Sequence, residues 1–400
     1  MVNERTIVFA MKYVRTHETR DKFLADKDST SRGFRLAPTL YKYSDESEDE
    51  DNRDHIYLEL DDPRKHGDST YMEIALNSDV EFSFYIGNKS GDTQTTMTCS
   101  IDWGDGTVET KTITTDDKGF KLSHNYKAGS YKIELYDVER DYSVEGDTNS
   151  SSRNSLISPI DSVKRVVLGD GVVSITRTAF SECTSLRSIY IPKGVTSINY
   201  RTFRNCPSLV YANIPRGVTI IKNQAFSLCY SLRSINIPEG VAIIAGEAFY
   251  GCSSLKSIYI PKSVTTIGYR VFRNCSSLSS VYIPESVTSI GTYAFQYCTS
   301  LTSIYIPEGV TSIETYAFQY CSSLKSIDIP EKVTSIGDSA FYGCKSLKSI
   351  SSFNPTTPTI GSNIFIGLPT NGTLHIKPGA TGYDAWLSKL PEGWKIVESL

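Results

Sequence analysis

Cys298-Thr-Ser-Leu-Thr-Ser-Ile-Tyr-Ile-Pro307, continued by Val310-Thr-Ser-Ile313 and Ala317-Phe318, is one unit of a pattern that restarts at Cys321 in nearly the same letters. Eight cysteines, Cys183, Cys206, Cys229, Cys252, Cys275, Cys298, Cys321 and Cys344, follow one another every 23 residues. A phenylalanine stands three residues before each, from Phe180 to Phe341, and a leucine three residues after each, from Leu186 to Leu347. A fixed period of about 20–30 residues is the signature of a solenoid, in which a coil buries its apolar face only against its neighbours. Within a coil, apolar residues alternate with small polar ones in two short stretches, which predicts two brief strands and a tight helical turn.

The alternation assigns sides. Leu255, Ile258 and Ile260 point inward and leave Lys256, Ser257 and Tyr259 outward. Proline closes the first strand, from Pro192 to Pro330 at the same period, where the chain turns and a missing amide donor costs little. Eight coils at the interstrand spacing of about 4.8 Å make a parallel stack. The cysteine file invites thiol or metal chemistry, but one residue per coil in a line is not a tetrahedral ligand set, and a free cysteine packs as a small hydrophobe. The expectation is therefore no metal centre and no cofactor. The ninth cysteine, Cys99, has no partner in the pattern.

Ile-Pro-x-x-Val-x-x-Ile followed by Ala-Phe-x-x-Cys-x-x-Leu resembles the BspA-like class of leucine-rich repeat. The resemblance covers residues 163–350 in full coils, with a degenerate opening coil at Val166-Val-Leu168 and Val172-Val-Ser-Ile175 and an irregular last one through Ile360-Gly-Ser-Asn-Ile-Phe365. Leu374-His-Ile-Lys-Pro378, Tyr383, Trp386 and Trp394-Lys-Ile-Val397 are similar to the terminal segment of such proteins, with the two tryptophans sealing the end. Upstream, Val80-Glu-Phe-Ser-Phe-Tyr-Ile86 alternates as a strand, and the Asp-Gly of Trp103-Gly-Asp-Gly-Thr107 is a hairpin signal. Together with His124-Asn-Tyr126 and Gly129-Ser-Tyr-Lys-Ile-Glu-Leu135 this set resembles the PKD-like β-sandwich. Asp105 is the natural turn residue there, Asp102 bonds nearby backbone, and His124 packs or caps rather than catalyses.

The expected organisation is mainly β. Residues 1–66 form a β-rich module of no recognised family that carries the acidic run Ser44-Asp-Glu-Ser-Glu-Asp-Glu-Asp51. Residues 67–145 form the PKD-like sandwich, 146–160 a linker, 161–376 the leucine-rich-repeat solenoid and 377–400 a C-terminal cap.

The chain has 400 residues with 41 basic and 45 acidic side chains, unevenly placed. Residues 1–159 carry 20 basic and 31 acidic, and residues 160–350 carry 18 and 11. The basic excess of the coils is too thin for a nucleic-acid stripe. No apolar stretch reaches the ~18 residues of a spanning helix, and residues 1–20 do not read as a secretory signal. Neither membrane insertion nor a conventional anchor is expected. No catalytic triad, phosphate loop or carboxylate pair in a pocket is visible, so the chain does not read as an enzyme.

What varies between coils is the outward set. One file carries Tyr190, Asn213, Asn236, Tyr259, Tyr282, Tyr305 and Asp328, beside Arg187, Arg233 and Lys256. Tyrosine and arginine concentrate at recognition surfaces and sugar-stacking platforms, although tyrosine also favours strands for its own sake. Tyr190, Tyr259, Tyr282, Tyr305, Arg187, Arg233 and Lys256 are thus the candidate ligand-binding residues, for a protein or glycan surface. A second cluster, Tyr293, Tyr297, Tyr316 and Tyr320, belongs to the turn side, where packing between coils accounts for it. The resemblance implies microbial surface adhesion, displayed on a cell surface or, through residues 1–66, on a larger assembly such as a phage virion. The alternatives are a structural scaffold without an exchangeable ligand and, more remotely, a carbohydrate-active enzyme.

Overall fold

The computed structural model describes residues 10–11, 36–37, 69–88, 94–115, 119–138, 142–146 and 157–399. The acidic run 44–51, most of the expected N-terminal module and the polar stretch 147–153 lie outside the described residues. The chain is mainly β and divides into two units, Glu46–Ser254 and Leu255–Leu400 with Met1–Asp45. In the latter, Ala10–Met11 (β1) pairs antiparallel with Leu36–Ala37 (β2).

In the unit 46–254, the upstream strands are Thr70–Leu76 (β3), Val80–Asn88 (β4), Thr96–Asp102 (β5), Val108–Thr114 (β6), Phe120–Tyr126 (β7), Gly129–Tyr136 (β8) and Tyr142–Val144 (β9). The first coils add Val163–Val167 (β10), Val172–Ile175 (β11), Ser188–Tyr190 (β12), Ser197–Ile198 (β13), Tyr211–Ala212 (β14), Ile220–Ile221 (β15) and Ile243–Ile244 (β16). Two sheets combine both sets: β14-β12-β10-β3-β8-β5-β6 and β11-β9-β4-β7. The opening coil would otherwise expose two rows of backbone groups. β3 covers one, antiparallel to β10 with Val166 opposite Met72, and β9 covers the other, parallel to β11. Ala75 N–H donates to the Ser162 carbonyl at 2.9 Å and Tyr142 N–H to the Gly171 carbonyl at 2.9 Å. The Tyr142 and Thr70 hydroxyls, 2.6 Å apart and buried, tie the two sheets together. Alternation along β4 buries Phe82, Phe84 and Ile86, which join Met97, Cys99, Ile101, Trp103, Leu122 and Tyr126 in the upstream core.

In the unit 255–400, Ser257–Tyr259 (β17) pairs parallel with Ser280–Tyr282 (β19). Thr266–Ile267 (β18), Ser289–Ile290 (β20), Ser312–Ile313 (β21), Ser335–Ile336 (β23) and Thr359–Ile360 (β25) form a parallel ladder. Ser326–Ile329 (β22), Ser349–Ser352 (β24), Thr373–Ile376 (β26) and Lys395–Glu398 (β27) form another, with Asp384–Leu387 (α1) between the last two. Trp386 and Trp394 are buried there, their indole N–H groups donating to the carbonyls of Pro358 and Pro369.

Each coil buries its Leu, Ile, Val, Ala, Phe and Cys side chains. The phenylalanines stack coil on coil, at 5.6, 5.2 and 5.6 Å from Phe180 to Phe249 and at 5.4, 5.4 and 5.7 Å from Phe272 to Phe341. The cysteines are reduced and buried, and in most coils the thiol donates to the phenylalanine carbonyl 26 residues earlier, as Cys206 to Phe180 at 3.0 Å and Cys321 to Phe295 at 3.2 Å. A thiol here is both the right volume and a second donor for a carbonyl that already accepts from the backbone, as Phe295 does from Cys298 N–H at 3.1 Å.

The expected helical turns are not helical. Backbone N–H groups in that segment alternate in direction: Gln296 and Cys298 donate three residues back, to Tyr293 and Phe295, whereas Phe295 and Tyr297 donate to Ala317 and Gln319 in the following coil. Every second donor is committed to a neighbour, and residues such as Thr178, Glu182, Tyr293 and Tyr297 take positive φ to allow it. A helix, which returns all its donors to itself, cannot form on those terms.

Candidate functional site

The predicted strand-face residues fall on both units. In 46–254, Arg187 and Arg233 are exposed and Tyr190 is half-buried at the end of β12. Asn213, in the same file, exchanges both amide bonds with the Ile191 backbone, at 2.6 and 2.7 Å, and so stitches coils rather than awaiting a ligand. In 255–400, Lys256 is exposed, and Tyr259 and Tyr282 lie directly opposite each other on β17 and β19. Their rings stack at 5.0 Å and 8°. Tyr305 donates its hydroxyl to Glu285 Oε1 at 2.9 Å. Stacking between Tyr259 and Tyr282 takes up the ring faces turned toward each other. Outward, the pair presents ring edges and hydroxyl groups.

The turn side of the same unit holds a larger aromatic surface. Thr-Tyr-Ala-Phe-Gln-Tyr-Cys occurs twice in succession, at 292–298 and 315–321, and the coils superpose its outward members. Tyr293 stacks on Tyr316 at 4.7 Å and Tyr297 on Tyr320 at 4.8 Å, with the Gln296 amide donating to Gln319 between the two rows. Tyr269 meets Tyr293 edge-on at 6.0 Å, and the Arg270 guanidinium lies 4.4 Å from the Tyr269 ring centre and 5.0 Å from that of Tyr293. Tyr269 is 45% and Tyr297 37% exposed. All four stacked tyrosines have φ between 59° and 62°. That conformation costs a non-glycine residue about 1–3 kcal/mol, against about 0.5–1.5 kcal/mol returned by each stacked pair. The repeated heptapeptide was the signal in the sequence; its aromatic character was visible, and its arrangement into two ordered rows was not.

In 46–254 an open depression is lined by Thr176, Arg177, Asn199, Tyr200 and Lys222. The guanidiniums of Arg177 and Arg201 lie 5.1 and 4.6 Å from the Tyr200 ring centre, and Lys222 Nζ donates to Asn199 Oδ1 at 2.7 Å. The Asp102–Asp105 hairpin is a structural network. Asp102 accepts from Gly104 N–H at 2.7 Å and Asp105 from Thr107 N–H at 3.0 Å. His124 Nε2 sits 2.8 Å from Asp105 Oδ2, which holds that carboxyl below its ordinary range, and the imidazole stacks on Trp103 at 5.0 Å. Among the described residues no group of three His, Cys, Asp or Glu side chains could hold a metal ion, and no helix is long and apolar enough to cross a membrane.

One or two short parallel strands per coil, the first being absent after Cys229 and after Cys298 where Tyr305 lies, with a proline-closed bend, a buried Leu-Ile-Val-Phe-Cys lining and a variable polar exterior, define a leucine-rich-repeat protein. Residues 156–279 and 267–373 match the BspA type leucine rich repeat region in six copies, and the chain belongs to that family. It is similar to a leucine-rich repeat protein from Bacteroides ovatus ATCC 8483, with 28% identity over 63% of this chain and 74% of that one and a TM-score of 0.46. It is also similar to a leucine rich cell surface protein from Faecalibacterium prausnitzii A2-165, with 26% identity over 57% and 82% and a TM-score of 0.34. A third similar chain is a leucine-rich repeat protein of T. pallidum, with 22% identity over 59% and 87% and a TM-score of 0.33. No curated protein matches.

Proposed function

We propose that this chain is a non-enzymatic recognition protein whose coils bind a protein surface, held out by a PKD-like β-sandwich and attached through residues 1–66 to a cell surface or a phage virion. The observation that carries the reading is the state of the tyrosines. Sugar-stacking platforms need free ring faces, and here Tyr259 with Tyr282, Tyr293 with Tyr316 and Tyr297 with Tyr320 turn faces to each other. What remains outward is ring edges, together with the exposed cations Lys256, Arg187 and Arg233, groups that anchor protein interfaces at low entropic cost where the rings are already ordered. Tyr259, Tyr282, Tyr305 and Lys256 form the first contact surface of this reading, with Tyr190, Arg187 and Arg233 its counterpart on the other unit. The turn-side rows are a second surface.

The test applies the purified chain to immobilised envelope or virion proteins and, in parallel, to a panel of immobilised glycans. Binding to protein that falls at least tenfold when Tyr259, Tyr282 and Tyr305 are changed together to serine, or when Tyr297→Asn and Tyr320→Asn are combined, supports the reading. Binding to glycans alone, or protein binding indifferent to both sets, overturns it.

A further inference from the structure

Among the described residues β6 pairs with β5 alone, so it is the open edge of its sheet. The ladder tells which backbone groups that edge presents. Trp103 N–H donates to the Thr107 carbonyl and Thr115 N–H to the Thr95 carbonyl, in a register that places Thr110 opposite Ser100. Odd-numbered residues of β6 therefore turn their N–H and C=O groups to β5, and Val108, Thr110, Thr112 and Thr114 turn theirs outward. Those four side chains are exposed on one face, while Glu109, Lys111 and Ile113 are half-buried on the other, with Glu109 accepting from Trp103 Nε1 at 2.6 Å and Lys111 Nζ 2.6 Å from Glu109. Native edges are commonly guarded by a proline, a bulge, a covering loop or an inward-pointing charge; the β5–β6 register is regular, the strand carries no proline, and its two inward charges, Glu109 and Lys111, are of opposite sign and pair with each other.

We propose that β6 is a self-pairing edge and that its partner is β6 of a second copy of this chain, antiparallel across a two-fold axis at Thr110. Only some registers satisfy both backbone and side chains. Outward donors must meet outward acceptors, which confines the axis to a residue of the strand. An axis at Lys111 opposes two lysines, an axis at Glu109 opposes two glutamates, and an axis at Thr112 sets Lys111 against Ile113. With the axis at Thr110, Thr110 faces its own copy and Val108 faces Thr112, both as hydrogen-bonded pairs. Glu109 then faces Lys111 of the other copy twice, in the closer non-hydrogen-bonded pairs where opposite charges interact best. Each carboxylate comes to lie between two ammonium groups, and each contact is made twice, as an isologous interface requires. So short an edge buries little surface, and the association is expected to be weak and reversible.

Light scattering coupled to size exclusion on the full chain, from about 1 to about 200 µM, tests for weak, reversible association. The expected result is a reversible monomer–dimer equilibrium. Thr110→Pro, which removes an outward donor and leaves the bonds to β5, is expected to abolish it. Glu109→Lys or Lys111→Glu alone is expected to weaken it about tenfold or more, and the combined exchange, which restores opposite charges in the same register, to recover most of the loss. Far-ultraviolet dichroism and the urea midpoint check that each variant keeps its fold. A chain monomeric at the highest concentration overturns the proposal. So does a dimer that tolerates Thr110→Pro, or one in which the combined exchange is no better than either single change.

Discussion

Replacing Phe295 by alanine tests the packing on which every coil depends. The ring is fully buried and lies between Phe272 and Phe318, 5.4 Å from each. Removing a buried phenylalanine side chain costs about 3–5 kcal/mol through lost burial and the cavity left behind, and each ring pair adds about 0.5–1.5 kcal/mol beyond area. Phe341 is as buried but has one ring partner among the described residues, Phe318 at 5.7 Å. Phe295→Ala is therefore expected to cost about 4–5 kcal/mol and to exceed Phe341→Ala by about 1 kcal/mol, the value of one ring pair. Urea denaturation followed by far-ultraviolet dichroism measures both. A double-mutant cycle with Phe318→Ala isolates the coupling, expected at about 0.5–1.5 kcal/mol. Hydrogen exchange localises the damage, since repeat arrays lose stability coil by coil. A cost below about 2 kcal/mol for Phe295→Ala, or no coupling to Phe318, would refute a close-packed aromatic column.

The buried thiols predict alkaline lability. Burial pushes Cys229 and Cys344 from 9.0 up to about 12, so between those values the unfolded chain releases protons that the folded chain retains. Stability is full below pH 9 and falls as pH rises toward 12. Denaturation midpoints taken at pH 8, 9, 10 and 11 check it, and a flat profile contradicts it. In the native state none of the eight repeat thiols is expected to react with an aromatic disulfide reagent at pH 8, whereas all should react in denaturant; rapid labelling of the folded chain would contradict their burial. Tyr297→Asn and Tyr320→Asn together place at these positions the residue that Asn205 and Asn274 already supply, at φ of 56° and 62°. Their expected combined effect on stability is within about 1 kcal/mol, because relief of strain offsets lost stacking; a loss above about 3 kcal/mol in urea denaturation argues against that balance. Tyr142→Phe removes the buried hydroxyl contact to Thr70 and is expected to cost about 1–2 kcal/mol by the same measurement.

The coil was legible because its constraint is periodic. A residue such as Cys321 or Phe318 repeats its environment every 23 positions, so spacing alone announces parallel stacking and an inward face. The turn between Ile313 and Cys321 was misread for the same reason. Its local letters suit a helical turn, and only the carbonyls of the next coil, about 22 residues away, draw off alternate donors such as Phe318 N–H to Ala340. The junction of β3 with β10 was equally invisible, since Met72 and Val166 are 94 positions apart and nothing local marks them as partners. Tyr259 and Tyr282 could be placed in one file from the sequence. That their rings lie flat on each other could not, because side-chain torsion is decided by neighbours on other coils. The turn-side tyrosines do pack between coils, as their period implied, with Tyr293 on Tyr316 and Tyr297 on Tyr320; that they also keep part of each ring at the surface is encoded by no alternation pattern for residues at positive φ.

The covering of the opening coil by β3 and β9 also bears on how such a chain assembles. A free coil has no ordered edge to copy, and closing its loop without one is entropically unfavourable. The upstream strands, which precede the repeats in the chain, present two edges joined through Tyr142 and Thr70. They can serve as a seed: residues 163–167 and 172–175 dock first, and each finished coil in 163–254 becomes the template for the one synthesised after it. Assembly then has a direction, from the amino-terminal side onward, and the slow step is met once, at the seed, however many coils are added behind it.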